Sequence, residues 1–167
     1  MKIIGKCSLK LIILQCLSLS LFEVVFFRFH TFLNADLYEC LIRSKGDPST
    51  GCLEQFMGTD VTIGQVMSQM FYSLFYGFCF GVVSVIVINL IRKKSVWNTV
   101  SVVLLYLILF FTGAFKNRIL DSLIYSFGRL FSEKIGISNL ITSQVALLIA
   151  LVLLWLSVKE KERVYKN

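Results

Sequence analysis

The residues of this 167-residue chain best placed to do chemistry are Cys40 and Cys52, both in the polar segment from His30 to Gln65 with eleven residues between them. Two thiols at that spacing, in an acidic segment flanked by apolar stretches, can close a structural disulfide, stay free, or work as a redox pair. A disulfide here would contribute about 3 kcal/mol by loop-closure reasoning, and an oxidising outer compartment permits it. Quinone-linked thiol oxidation asks for closely spaced, strained cysteines and a second pair that a mixed disulfide can reach. The second outer segment has no cysteine, so the staple is preferred to the relay. His30 is the sole histidine, and HExxH, GxSxG and phosphate-cradling glycine motifs are missing from the sequence. The reading is a protein that is not an enzyme and takes no metal or cofactor.

The remaining reactive or polar positions lie in apolar surroundings. Glu23 is the one acidic residue within a greasy run, and a carboxylate costs a few kcal/mol near a bilayer centre. It could meet a cation or a partner's base, but Arg28 is near in sequence, so local pairing or snorkelling to the headgroups is expected, with Arg28 an interface anchor. Cys16 and Cys79 read as small packing residues. Cys7, beside Lys6, is a candidate for reversible palmitoylation. Ser73, Gly77 and Gly81 recur every four residues, a ridge that lets another helix approach closely, within the bundle or from a second copy. Phe71, Tyr72, Phe75 and Tyr76 suit an aromatic belt or bundle packing.

The elements that must hold these residues are membrane helices. A hydrophobic share of 56% and a mean hydropathy of +0.77 are incompatible with a water-facing surface. Four runs reach the length that crosses a hydrocarbon core: Leu11 to Phe29, Phe71 to Ile91, Val96 to Phe115 and Leu140 to Val158. They predict an all-α, single-domain bundle of four transmembrane helices. Lys2, Lys6 and Lys10 precede the first run, Arg92, Lys93 and Lys94 link the second to the third, and Lys159, Lys161, Arg163 and Lys166 follow the fourth. By the positive-inside rule these segments and both termini are cytoplasmic. The outer segment 30–65 is acidic, with Asp36, Glu39, Asp47, Glu54 and Asp60 against Arg43 and Lys45. The second outer segment dissents, because Lys116, Arg118, Arg129 and Lys134 outnumber Asp121 and Glu133. The net charge of +7 is divided among membrane edges rather than gathered on one face, which argues against nucleic acid as a partner. The first run is too long for a signal-peptide core and is followed by bulky residues, so it reads as an uncleaved span.

Within the outer segment, Lys45 to Gly51 is rich in turn formers, including Pro48, the single proline. It reads as a hairpin tip, with Leu37 to Ile42 and Cys52 to Met57 as two short strands or, alternatively, helix. Thr59 or Asp60 would cap the second span. From Lys116 to Lys134, Ile119, Leu120, Leu123, Ile124, Phe127, Leu130 and Phe131 recur at helical offsets among polar residues. This predicts an amphipathic helix, lying at the outer interface or prolonging the third span, and broken by Gly136 to Asn139 before the last one.

In layout and in the run Asp36-Leu37-Tyr38-Glu39-Cys40 followed by Cys52, the chain resembles the claudin, peripheral myelin protein and epithelial membrane protein superfamily, with Tyr38 where those proteins carry tryptophan. The resemblance implies a left-handed four-helix bundle topped by a small antiparallel sheet, Cys40 and Cys52 bridging neighbouring strands, and a long third span. It also implies roles in adhesion at cell junctions, paracellular barriers, membrane compaction or channel modulation, with the outer loops making the contacts. The expected partners are the lipid bilayer and other membrane proteins, a second copy of the chain among them. The expected location is a plasma membrane, or the inner membrane in a bacterium. The alternative is a bacterial inner-membrane bacteriocin-immunity or envelope protein, in which Glu23, Ser73 and Gly77 would matter more than the cysteines. A transporter subunit is a weaker reading, with only Glu23, Asn89 and Gln144 to line a path.

Overall fold

The computed structural model describes residues 9–43, 63–112 and 118–159, and these are helical: α1 (Leu9–Leu33), α2 (Ala35–Arg43), α3 (Ile63–Ile91), α4 (Val96–Phe111), α5 (Arg118–Arg129) and α6 (Ile135–Val158). Three of them, α1, α3 and α6, are long and apolar enough to cross a membrane. The fourth expected span is shorter than its apolar run: α4 has 16 residues, about 24 Å at 1.5 Å per residue.

Helix α1 is the hub. It packs along α6 and α3 and also touches α4, whereas α3 and α6 scarcely meet each other. Leu19 and Phe22 are consequently fully buried. One apolar cluster joins Leu11, Ile12, Cys16 and Leu19 of α1 to Val85, Val102, Tyr106 and Leu154. The second joins Leu21, Phe22, Val24 and Val25 to Ile124, Ala146 and Ala150. Lipid is as apolar as leucine, so close packing and interhelical hydrogen bonds, not burial from water, must hold such helices together. Both are present. Ser18 donates to the Ala150 carbonyl at 2.8 Å and Ser143 to the Val25 carbonyl at 3.2 Å. Small residues of α6 at Ser138, Thr142, Ala146 and Ala150 recur one turn apart and are buried: Ala146 and Ala150 share the second cluster with α1, while Ser138 and Thr142 lie against Gly128 of α5.

Several boundaries differ from the sequence reading for local reasons. Residues 37–42 are helix, not strand. Leu37, Cys40 and Leu41 sit at helical spacing and pack together, Asp36 and Arg43 complement the helix dipole, and Glu39 pairs with Arg43 one turn on. Among the described residues no strand occurs; Cys52 to Met57, the turn at Lys45 to Gly51 and the caps at Thr59 and Asp60 lie outside them. The break before the last span falls at residues 130–134, where Leu130 and Phe131 close tight turns onto the Phe127 and Gly128 carbonyls; Gly136 to Asn139 are already helical. The inner link is a four-residue turn in which Lys93 takes φ 50° and Ser95 caps α4, accepting from the Trp97 amide.

Candidate functional site

Polar side chains within the helices gather at three levels along the bundle axis. Towards the Leu9 end of α1, Gln15 and Asn89 exchange two amide hydrogen bonds, of 2.8 and 3.0 Å. Gln15 also donates to Ser157 at 3.2 Å, and Asn89 to Thr99 at 2.9 Å. One network thus ties α1, α3, α4 and α6 together, and its members satisfy one another.

At mid-depth, Glu23 is buried and does not pair with Arg28. It lies beside Tyr106 of α4, which is likewise buried. Beside them a crevice of about 210 Å³ opens between α3 and α4, walled by Phe71, Phe75, Phe78, Leu107 and Phe110. Arg28 instead pairs with Asp121. Arg28 Nε donates to Asp121 Oδ1 at 2.7 Å, Nη2 donates to Asp121 Oδ2, and Nη1 donates to Asn139 Oδ1 at 3.0 Å. The guanidinium lies 4.3 Å from the centre of the Tyr125 ring. A fork of donors matching a carboxylate over an aromatic face is the geometry in which arginine tolerates partial burial. Arg28 therefore fastens α5 to α1 and α6. Gly128 completes the attachment: a Cβ there would lie 2.4 Å from Thr142 Oγ1 and 2.6 Å from the Ser138 carbonyl oxygen.

At the opposite end of the bundle, a single residue, Asn34, separates α1 from α2, and its backbone and side-chain amides both donate to the His30 carbonyl. Tyr38 Oη meets His30 Nδ1 at 3.3 Å, the two rings edge to face. Burial pushes the Tyr38 hydroxyl above the usual tyrosine range, an effect that a hydrogen bond with Thr31 opposes. Leu37 and Cys40 turn inward, and Gly136 of α6 admits the Ala35 methyl at the start of α2. The free cysteines among the described residues are Cys16 and Cys79; Cys40 is not one of them, and Cys52 and Cys7 lie outside the described residues.

No family model matches the chain, and no curated protein or solved structure matches it either.

The ridge of Ser73, Gly77 and Gly81 is used within the bundle. A Cβ on Gly77 would meet the Glu23 Cα at 2.7 Å and the Phe22 carbonyl oxygen at 2.8 Å, so α1 backbone occupies that face. The belt residues Phe71, Tyr72, Phe75 and Tyr76 are exposed, Phe71 and Phe75 at the crevice beside α4 and Tyr72 and Tyr76 at a groove beside α1. This groove, of about 370 Å³, runs between the Leu33 end of α1 and the first turns of α3 and is lined by Phe29, Leu33, Tyr72 and Tyr76, with His30, Gln69 and Ser73 as its polar residues. Among the described residues no three His, Cys, Asp or Glu side chains converge as metal ligands would. Sequence reasoning passed over Gln15, Asn139 and Asp121. A signal did exist for the pair: a lone arginine at the end of one helix and a lone aspartate in an amphipathic segment are both expensive unless they meet.

Proposed function

We propose that the protein is a non-enzymatic, four-span membrane protein that recognises another membrane protein from the outer half of its bundle. In this reading the Leu9 end of α1, the link 92–95 and the Val158 end of α6 face the cytoplasm. The basic residues at those positions support it, as does the four-residue turn that sets α4 back along α3. The fourth span in this reading is α4.

The observation that carries the reading is the α1–α3 groove. Its walls are aromatic and aliphatic, it carries a few polar atoms able to fix orientation, and it opens sideways where a neighbouring helix could lie. The segment around Cys40 follows directly on α1 through Asn34, and Tyr38 of that segment meets His30, which lines the groove. A photoreactive residue at Tyr72 or Tyr76, in native membranes, should give a discrete protein adduct that His30→Ala weakens. The same residue at Leu148, on the exposed face of α6, should give none. Lipid adducts alone at all three positions would refute the proposal.

Two identities fit this frame. A claudin-like protein rests on Asp36, Leu37, Tyr38, Cys40 and Cys52, and the helical form of residues 37–42 weighs against it. A bacterial inner-membrane immunity or envelope protein is favoured by the depth of the groove, because such proteins meet toxin helices inside the bilayer. Ser73 lines that groove, whereas Gly77 is sealed against α1.

A further inference from the structure

Helix α5 presents three distinct sides. At 3.6 residues per turn, Asp121, Ile124, Tyr125 and Gly128 share the side that faces the bundle, and Ile124 and Gly128 are buried there. About a third of a turn round in one direction lie Ser122, Ser126 and Arg129, all exposed. In the other direction lie Leu123, Phe127, Leu130 and Phe131, also exposed, with Leu130 80% accessible. A helix bathed in water would not leave that second edge bare, and a spanning helix would not carry the first.

The attachment points fix its place. Asp121 and Gly128 are about 10 Å apart along the helix: Asp121 is held by the Arg28 guanidinium of α1, which also binds Asn139, while Gly128 sits on Ser138 and Thr142 of α6. Helix α5 is thus fastened beside the Leu33 end of α1 and the Ile135 end of α6, and its 12 residues, about 18 Å, are too few to cross a hydrocarbon core. Its acidic residue is neutralised by Arg28, leaving Arg129 and Lys134 exposed on the water side against Glu133.

From this we propose that α5 is an interfacial helix. Its edge of Leu123, Phe127, Leu130 and Phe131 is inserted among acyl chains, and Arg129 and Lys134 lie against anionic phospholipid headgroups. The positive excess of this outer segment, which breaks the charge rule that every other segment obeys, is then headgroup contact rather than a topology signal. The proposal does not depend on the partner suggested above.

The test uses the full chain in lipid nanodiscs with Trp97 and Trp155 replaced by phenylalanine and one reporter restored at a time. Phe127→Trp and Leu123→Trp should emit to the blue and be quenched by lipids brominated near the headgroup at least about twofold more strongly than Ser126→Trp or Ser122→Trp. Iodide should reverse the order. Replacing phosphatidylcholine by phosphatidylglycerol should strengthen the lipid quenching at Phe127→Trp, and Arg129→Gln with Lys134→Gln should remove that gain. Equal quenching on the two edges would overturn insertion. Emission that depends on protein concentration would assign the edge to a second copy, and indifference to headgroup charge would overturn the anionic contact. Using two reporters on each edge keeps the result decisive if one variant folds poorly.

Discussion

Gly77→Ala should destabilise the bundle although alanine is the better helix former. The added methyl would stand 2.7 Å from the Glu23 Cα and 2.8 Å from the Phe22 carbonyl oxygen, both backbone atoms of α1. Ordinary contact begins about 0.7 Å farther out, and backbone in mid-helix cannot swing aside, so α1 and α3 must separate. Against backbone that cannot yield, overpacking falls in the upper part of its usual range, about 2–3 kcal/mol, against a propensity gain of about 1 kcal/mol, for a net loss of about 1–2 kcal/mol. Gly81→Ala supplies the internal control. Its methyl would meet the Leu19 Cγ at 3.2 Å and the Phe22 side chain at 3.4 Å, groups that can yield by a few tenths of an ångström. There the gain and loss should cancel to within about 0.5 kcal/mol. Steric-trap or SDS-titration unfolding from dodecylmaltoside micelles would measure both. If Gly77→Ala proved as stable as the parent, or Gly81→Ala the more damaging, the close approach of α3 to α1 through Gly77 would be refuted.

Arg28→Met should cost about 3 kcal/mol, because it strands a partly buried Asp121 and removes the contact with Tyr125. Arg28→Met with Asp121→Leu should recover part of that loss in a double-mutant cycle, and additive effects would disprove the coupling. Asn89→Leu should cost about 1–2 kcal/mol by leaving Gln15 without its amide partner. Adding Gln15→Leu should then cost little more by the same unfolding assay. Lys93→Gly should raise stability by about 0.5–1 kcal/mol by relieving the positive φ, without altering the fold. Cys40 and Cys52 should resist a membrane-impermeant maleimide in intact cells until a reductant is added, and prompt labelling of both would eliminate the staple.

What the sequence made legible was whatever rests on local pattern. The apolar runs locate α1, α3 and α6 to within a few residues, except that α3 begins eight residues before its run, where Gln65, Ser68 and Gln69 dilute the hydropathy without disfavouring helix. The offsets from Ile119 to Phe131 likewise found α5. Helix α2 was ambiguous because nine residues carry too few turns for periodicity to separate helix from strand, and only its packing under Leu37 and Cys40 decides. The site depended on distance in sequence. Nothing local to Gln15 points to Asn89, 74 positions away, nor anything near Arg28 to Asp121, 93 away. For Glu23 proximity misled: Arg28 is five residues on, more than a full turn, and its charge was already committed to α5.

The central position of α1 sets the order of assembly. It is made before α6, yet α6 is the helix along which it packs most extensively. Until α6 is synthesised, the hydroxyl of Ser18 lacks the Ala150 carbonyl, and the guanidinium of Arg28 has Asp121 within the chain but not Asn139. A nascent chain halted before Ile135 would therefore present α1 to the bilayer with polar groups short of their partners, which is costly there. Synthesis of α6 becomes the event that commits the bundle to its fold.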